Sequence, residues 1–324
     1  MDTRRLPYLV EFARHGSMRV VAEVLGTSTS VVSQQIAALA REAGAALVEP
    51  EGRRSRLTPA GRRLAEHART ILAAVEAARL DLDPEAEPRG VVRVAGFATA
   101  IRRAVMPTVA ALAASHPGVT LTIREHEPAE AHAMLVADGI DLALTYDYDL
   151  APAALDPDLT ATPLWAMSWG LAVPAADAPD PAADALAVIS AFRDRAWIGN
   201  SRNPADEQVL RTLASMAGFR LHTAHEADSL ELVEELVVAE LGVGLLPQDR
   251  PVRAGVTVVP LTAPGVRQRA YAVTRRGRAS WPPVALVLEQ VARSASRDLS
   301  GRASASGHAL RAWPPSSPPT SGAP

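Results

Sequence analysis

The first 60 residues place the strongest constraint on what this chain can fold into. Apolar residues at helical spacing predict a first short helix that stops at Gly16. Ser17 is then placed to cap a second helix ended by Gly26, and Ser28 to cap a third helix that extends to about Ala43. Two capped helices joined by a tight glycine turn are typical of a helix-turn-helix module, which presents its second helix to DNA.

The exposed face of that third helix carries the chemistry needed to read base edges. Val32, Ile36 and Leu39 recur every three or four residues, which predicts the buried stripe. The opposite face presents hydroxyls and a carboxamide near the helix N-terminus, where backbone N–H groups also favour a phosphate. The predicted DNA contacts on this face are Ser28, Thr29, Ser30, Ser33 and Gln34. The alternative is a plain three-helix bundle whose hydroxyl residues only cap helices and face solvent.

A predicted hairpin follows that helix, and basic residues lie at its tip. The segment from Leu47 to Leu57 is extended on both sides of a Pro-Glu-Gly turn. Such a wing would lay arginine side chains along phosphates or a minor groove. The predicted contacts in the wing are Arg53, Arg54 and Arg56.

A long helix after the hairpin is predicted to pair with a second copy of itself. Thr58 and Pro59 form its start, as an N-cap followed by proline at the first position. Its apolar positions then recur in steps of four and three, which is the heptad pattern of a coiled coil. The predicted dimerisation seam is Leu64, Ala68, Ile71, Val75, Ala78 and Leu82. A pair of heads matches the two-fold symmetry of a palindromic DNA site.

The charge distribution favours a polyanionic partner for the head alone. The 324 residues carry a formal net charge of -3, which by itself argues against nucleic acid. Residues 1–80 nevertheless hold 12 Arg against 8 acidic residues, whereas residues 81–292 hold 17 Arg against 27. Ordinary scatter would also explain the surplus in the head. Every cationic Lys or Arg position is Arg, so phosphate contacts must come from Arg, backbone N–H groups or hydroxyls.

Several functional classes find no support in the sequence. The chain has no cysteine, which excludes disulfides, thiolate nucleophiles and cysteine-ligated zinc. No apolar run approaches the roughly 20 residues of a membrane span, and residues 1–14 have no signal-peptide core. We therefore expect a cytoplasmic protein with no membrane partner. GxSxG, GxGxxG after a strand and a Walker loop are all missing, so no catalytic residue and no cofactor are predicted.

Composition divides the remainder into an α/β body and a tail. Short apolar runs alternate with helical patterns between about residues 90 and 292, which predicts α/β units with mostly parallel sheets. Acids and prolines in residues 81–90 indicate a linker. From Ser294 onward the chain is rich in Ser, Pro, Ala and Gly, a composition typical of a disordered tail.

Together these features resemble the LysR-type transcriptional regulators. The matching residues of the head are Gly16, Ser17, Ala22, Leu25, Ser28, Val32, Ser33, Gln35, Ile36, Leu39, Gly44, Leu47, Gly52, Arg53, Leu57, Thr58 and Gly61. The resemblance continues through residues 90–93, Pro107 and residues 116–119, 141–144 and 241–247, and covers the chain to about Ala292. It departs at Thr29, Ser30, Gln34, Val48 and Pro50, where the family commonly has other residues.

The resemblance implies an architecture and a function. It implies a winged helix-turn-helix at residues 1–58, a linker and dimerisation helix at 59–89, and an effector-binding domain at 90–292, before the predicted tail at 293–324. The effector-binding domain is expected to resemble a periplasmic binding protein, with subdomain one at 90–162 and 266–292 and subdomain two at 163–265. The implied function is a sequence-specific regulator that binds double-stranded DNA as a homodimer or homotetramer, with RNA polymerase as a candidate partner.

A small-molecule effector is expected between the two subdomains. Open α/β sheets bind ligands at the carboxyl ends of their strands, where helix N-termini supply unpaired N–H groups. The predicted cleft residues are Thr99, Ala100, Tyr146, Asn203 and Ser229. Helix capping alone would also explain Thr99, Asn203 and Ser229. Core packing or cleft lining would explain Tyr146, Tyr148, Trp165 and Trp169. Arg102 and Arg103 would either bind an anionic effector or lie on a solvated helix face, and the solvated face is the one expected.

Two other functions stay open at this point. In the first, the chain is a small-molecule-binding or enzymatic α/β protein whose N-terminal helices only dimerise. The second is a metal-sensing regulator that would use His126 and His132, or His222 and His225. Because neither pair has the spacing of a common zinc motif, no metal ligand is predicted. The wing arginines and the hydroxyl-rich helix face favour the DNA-binding regulator.

Overall fold

A three-helix unit and a hairpin form the N-terminal head, and a mixed sheet forms the core of the body. The structure is a computed structural model that describes residues 1–52, 54–83, 87–179 and 183–306. After a short 3-10 turn (Thr3–Arg5), the elements of the head are α1 (Leu6–His15), α2 (Met18–Val24), α3 (Thr29–Ala43), β1 (Val48–Glu51), β2 (Arg54–Leu57) and α4 (Pro59–Leu82).

Local capping chemistry sets the helix boundaries of the head. The Ser28 hydroxyl accepts from the Val31 N–H at 3.3 Å and begins α3, as predicted. The Thr58 hydroxyl accepts from the Gly61 N–H at 2.9 Å and begins α4, with Pro59 at the first position. Ser17 has the extended backbone of an N-cap, but its side chain makes no capping hydrogen bond.

The hairpin turn lies later than the sequence suggested. Pro50 pairs with Ser55 and Glu51 with Arg54, so two residues expected in the turn belong to the ladder. The connection is a two-residue loop that begins with Gly52, whose φ of +62° favours glycine. Arg53, the other loop residue, lies outside the described residues.

The first half of α4 packs inside its own head. Ala68 is fully buried with Leu6 and Leu9, and Leu64 and Ile71 pack against the same cluster. These three residues of the predicted dimerisation seam therefore pack against α1 of the same chain. The seam farther along differs, because Leu82 is 85% exposed. A heptad pattern defines an apolar stripe without saying which helix covers it.

The body alternates strands and helices as the sequence predicted. Its elements are β3 (Gly90–Gly96), α5 (Ala98–Ala100), a π-helical turn (Ile101–Val105), α6 (Met106–Ser115), β4 (Val119–Glu125), α7 (Pro128–Val136), β5 (Leu142–Tyr148), β6 (Leu159–Pro174), α8 (Ala185–Ala191), β7 (Trp197–Gly199), α9 (Ala205–Met216), β8 (Thr223–Glu226), α10 (Leu230–Val238), β9 (Val243–Pro247), β10 (Val256–Pro260), β11 (Arg267–Arg275) and α11 (Pro282–Ser306).

One long strand links two groups of parallel strands. The sheet order is β4-β3-β5-β11-β6-β9-β7-β8, with β10 also paired to β6. Strands β3, β4 and β5 are parallel, and so are β7, β8 and β9. Strands β6 and β11 run antiparallel to their neighbours, so the sheet is mixed rather than mostly parallel. The first half of β6 pairs with β11 and its second half with β9 and β10, and this crossover divides the body into two subdomains.

Helix α11 extends past the start of the predicted tail. The composition predicts disorder from residue 293, but the helix continues to Ser306. Ala295 is 2% exposed and continues the buried stripe of Val284, Val287 and Val291. The composition does not reveal this extension of α11, because a single alanine at helical spacing is enough to continue the packed face. Residues 307–324 lie outside the described residues.

Gly61 gives a test of the packing between the hairpin and α4. A Cβ at this position would lie 2.0 Å from the Leu47 carbonyl oxygen, so Gly61→Ala should destabilise the head by about 1–3 kcal/mol. All five tryptophans lie in or beyond β6, so fluorescence reports on the body and hydrogen exchange must report on the head. We expect faster amide exchange across residues 6–72, with the urea midpoint from tryptophan fluorescence unchanged.

Gly265→Ala is the matched control, because its Cβ would meet only the Leu261 carbonyl oxygen at 3.8 Å. It should leave both readouts unchanged. Parental exchange rates in Gly61→Ala would show that the close approach is not a constraint on the head.

Candidate DNA-reading surface and effector cleft

The N-terminal turns of α3 present an entirely polar face to solvent. The five residues predicted to read bases are all exposed, namely Ser28, Thr29, Ser30, Ser33 and Gln34. On the opposite side Val32, Ile36 and Leu39 are fully buried against α1, α2 and the hairpin. Neighbouring Gln35 is only half-buried and accepts a hydrogen bond from Arg5 at 2.7 Å. Gln34 is therefore the exposed carboxamide of this helix.

The wing offers less free positive charge than its sequence suggests. Arg56 is exposed, but its Nε donates to Glu49 at 2.8 Å and its Nη1 lies 3.5 Å from Glu51. A phosphate would have to compete with these two carboxylates for Arg56. Arg54 lies in β2 and its side chain is not described.

A cavity of about 150 Å³ lies between the two subdomains. Its walls come from the carboxyl ends of β3, β4 and β5 on one side and from residues after β7, β8 and β9 on the other. This is the location that the strand-end rule predicts for a ligand. Of the five predicted cleft residues, Thr99, Tyr146 and Ser229 line the cavity.

The other two predicted cleft residues have structural positions. Ala100 is fully buried in the core. Asn203 is 7% exposed, and its Oδ1 accepts from the Ala205 N–H at 3.1 Å at the start of α9. Asn203 precedes the N-cap residue Pro204, so this hydrogen bond belongs to the turn that leads into α9. Ser229 also caps α10 by accepting from the Leu232 N–H at 3.1 Å, while remaining part of the cavity wall.

Two acidic residues that the sequence analysis did not select lie at the cavity. Glu127 is 7% exposed, caps α7 and accepts a hydrogen bond from the Tyr146 hydroxyl at 3.0 Å. Desolvation raises the pKa of Glu127 to about 7, although the hydrogen bond from Tyr146 opposes the shift. Desolvation likewise raises the pKa of Asp206 to about 6. Both residues follow a strand or begin a helix, so the rule that selected Thr99 would also have selected them.

An arginine joins the two subdomains at the cavity mouth. Arg202, between β7 and α9, donates to Glu130 of α7 at 2.5 Å and to Asp228 at 3.0 Å. Hydrogen bonds from Arg202 and His126 lower the pKa of Glu130 to about 2. A second pair, Arg103 with Asp249, also spans the subdomains. Arg103 is thus buried rather than on a solvated face, because its guanidinium finds a carboxylate across the cleft.

A row of aromatic side chains passes behind the cavity. Ring centroids are 4.7 Å apart for Phe97 and Tyr146, 6.0 Å for Tyr146 and Tyr148, and 5.6 Å for Tyr148 and Trp169, all edge to face. Phe97, Tyr146 and Trp169 line the cavity, so they serve both core and cleft. Trp165 is buried in the same core.

The histidines do not assemble a metal site in the part of the chain that the structure describes. Groups of three or more metal-ligating side chains are absent there. His126 instead pairs with Glu130 at 3.1 Å, and desolvation lowers the pKa of buried His132. Over the same residues, none of the helices is long and apolar enough to cross a membrane.

Two family models account for the head and the body. Residues 3–62 match the bacterial regulatory helix-turn-helix of the lysR family, and residues 85–296 match the LysR substrate binding domain. The chain belongs to the LysR family. It is a transcriptional regulator with a DNA-binding helix-turn-helix and an effector-binding domain, and its relatives are regulators rather than enzymes.

Curated relatives cover most of the LysR-family chain. It is 28% identical over 251 residues to the transcriptional dual regulator GltC of Bacillus subtilis, covering 76% of this chain and 81% of the relative. It is 31% identical over 237 residues to a probable hydrogen peroxide-inducible genes activator of Mycobacterium avium, covering 72% and 74%. The nitrogen assimilation regulatory protein nac of Escherichia coli is 27% identical over 254 residues, covering 76% and 79%.

Solved structures share the fold of this LysR-family protein. A full-length OxyR variant from Pseudomonas aeruginosa aligns with a TM-score of 0.67 at 22% identity, covering 91% of this chain and 94% of that one. The LysR family regulator CbnR aligns with a TM-score of 0.50 at 22% identity, covering 90% and 100%.

The raised pKa of Glu127 predicts a pH-dependent effect of Glu127→Gln. The folded state holds a proton on Glu127 that the unfolded state loses near pH 4.5, so this residue lowers stability as pH rises from about 4.5 to about 7. Glutamine keeps the acceptor for Tyr146 but cannot ionise. Relative to the parent, Glu127→Gln should therefore gain about 1–3 kcal/mol in free energy of unfolding between pH 5 and pH 8.

Urea unfolding at each pH measures this difference. Exposed Glu289→Gln serves as the control and should show no pH-dependent gain. An equal offset for Glu127→Gln at both pH values would show that Glu127 titrates normally.

Proposed function

We propose that α3 reads the operator in a major groove while the wing contacts phosphates. The observation that carries this proposal is the fully exposed polar face of α3, placed at a helix N-terminus on a well-packed head. Ser28, Thr29, Ser30, Ser33 and Gln34 would contact bases and adjacent phosphates. Arg53, Arg54 and Arg56 would set register and non-specific affinity on the DNA backbone.

We further propose a double-stranded DNA site with two-fold symmetry, bound by a pair of heads. The exposed end of α4, with Val75, Ala78 and Leu82, would form the contact between two linker helices, and two such dimers would make a homotetramer. RNA polymerase is the candidate partner at a promoter, and the cytoplasm is the compartment where DNA is met.

We infer that a small molecule in the cleft controls the DNA-bound form. Thr99, Tyr146 and Ser229 would contact it, because they line the cavity between subdomains. Its arrival would alter the ion pairs of Arg202 across the cleft and so the angle between subdomains. Couplings of this type are typically about 1–3 kcal/mol. With no cysteine in the chain, the signal would be a bound molecule rather than thiol oxidation.

Footprinting on the DNA upstream of its own gene, followed by single-base substitution of the site, tests the DNA-reading surface. Gln34→Ala should lose its preference at one base position, at a cost of about 1–3 kcal/mol, and keep its affinity elsewhere. Gln35→Ala is the matched control, since Gln35 is tied to Arg5 and should keep the parental base preference.

A uniform loss across all sequences for Gln34→Ala would remove this residue from base readout. Absence of any protected site would argue against the proposed operator recognition as a whole.

A further inference from the structure

The cleft is lined by more carboxyl groups than guanidinium groups. Five carboxyl side chains line it, namely Glu125, Glu127, Asp206, Asp228 and Glu231. Among the described residues one cationic side chain, Arg102, lines it too, and its Nη1 lies 3.9 Å from Glu231. Arg202 also donates to Asp228, and Arg250 lies 3.7 Å from Glu231, so two of the five carboxyls are paired. Glu125, Glu127 and Asp206 make no ion pair among the described residues. In a site partly shielded from water, this charge favours a cationic ligand and disfavours an anion.

Aromatic walls accompany these carboxylates. Phe97, Tyr146 and Trp169 line the cavity and are all buried. Aromatic rings attract ammonium groups through their quadrupole, and rings combined with carboxylates are the usual surroundings of a bound organic cation. A simple metal ion would instead need a cluster of ligands, and none is present among the described residues.

Trp169 is one of three buried tryptophans whose indole N–H has no acceptor among the described residues, and it is the one of the three that lines the cavity. Its side chain is 5% exposed. Buried tryptophan N–H groups usually find a partner. An oxygen atom of a bound molecule would supply one.

We propose that this cleft binds a small organic cation, an ammonium ion that also carries a hydroxyl or carbonyl oxygen. The ammonium group would lie among the carboxylates and rings, and the oxygen would accept from the Trp169 indole. The inference rests on the proposed role of the cleft as the effector site and adds the chemical class of the effector. The volume of about 150 Å³ restricts the ligand to a small molecule.

Three matched probes separate charge from shape. Choline carries a quaternary ammonium and a hydroxyl, 3,3-dimethylbutan-1-ol is its neutral isostere, and 3,3-dimethylbutanoate has similar bulk with a negative charge. Titration calorimetry on the full chain, at constant ionic strength, should show choline binding about tenfold or more tightly than the alcohol, and no binding of the carboxylate. Equal affinity for choline and the alcohol, tighter binding of the carboxylate, or no binding of choline at tens of millimolar would each overturn the proposal.

The variants Asp206→Asn and Trp169→Phe locate the binding site. Each should weaken choline binding about tenfold, and Asp206→Asn should leave the weak affinity for the alcohol within about twofold. Asp194→Asn removes an exposed carboxyl away from the cavity and should keep the parental affinity. Circular dichroism and the urea midpoint establish that each variant is folded. Parental choline affinity in folded Asp206→Asn would place the cation elsewhere and contradict the proposal.

Choline has no group that titrates in this range, so the pH dependence of its binding belongs to the protein. The titratable and charged groups that face Glu127 and Asp206 are Tyr146, Tyr148, Arg202 and Asp228. Burial raises the pKa of both tyrosines, so they stay neutral over this pH range. Choline affinity should rise between about pH 5 and about pH 8 as Glu127 and Asp206 ionise. A flat profile would contradict a role for these carboxylates.

DNA footprinting distinguishes failure of this inference from failure of the proposed function. If choline binds selectively but leaves the footprint unchanged, the cation site stands and choline does not act as an effector. If a neutral or anionic compound binds in the cleft and changes the footprint, the proposed regulatory function is supported and the proposal of a cationic effector is contradicted.

Discussion

Two buried aspartates and four arginines form one ion-pair cluster where the linker helix meets the body, and Asp138 makes the contact with α4. Asp138 accepts from Arg69 of α4 at 2.9 Å and also binds Arg275 at the end of β11. Asp141 is 1% exposed and accepts from Arg93 of β3 at 2.8 Å and from Arg278 at 2.7 Å. Burial alone would raise the pKa of Asp141, but Arg93 and Arg278 hold it at about 2. Charges this deep are stable only as a complete set, so the cluster fixes one position of α4.

This cluster connects the two functional surfaces. Arg69 lies on the helix that carries the DNA-reading head, whereas Arg93 and Arg275 lie on β3 and β11, whose strands also position the cleft. The Arg69–Asp138 pair therefore ties α4 to the subdomain that contains β3 and β11. Aspartates are well suited to this joint because their short side chains leave little freedom. In the proposed function, the acidic body would repel DNA and limit contact to the heads.

Local chemistry accounts for what could be predicted from the sequence. Helix caps such as Ser28 and Thr58, and apolar stripes, depend on residues a few positions away along the chain. The helix-turn-helix and the alternation of strands and helices were therefore predictable. The partners of a stripe were not predictable, which is why the heptad pattern assigns Ala68 to a dimer seam although α1 covers it. The positions of Glu127 and Asp206 at a strand end or a helix start could have been selected by the rule that selected Thr99, but their raised pKa values come from burial, which sequence spacing does not show. The sequence places Arg103 in solvent for the same reason.

The Arg69–Asp138 pair fixes the head on the body. Since the chain has no cysteine, spin labels at Arg19→Cys and Asp194→Cys can be placed without background and measured by pulsed dipolar spectroscopy in chains diluted with unlabelled protein. We expect one narrow distance distribution in the parent and in the control Arg63→Met, and a broad one in Arg69→Met. A distribution equally narrow in Arg69→Met, or already broad in the parent, would contradict this role of the pair.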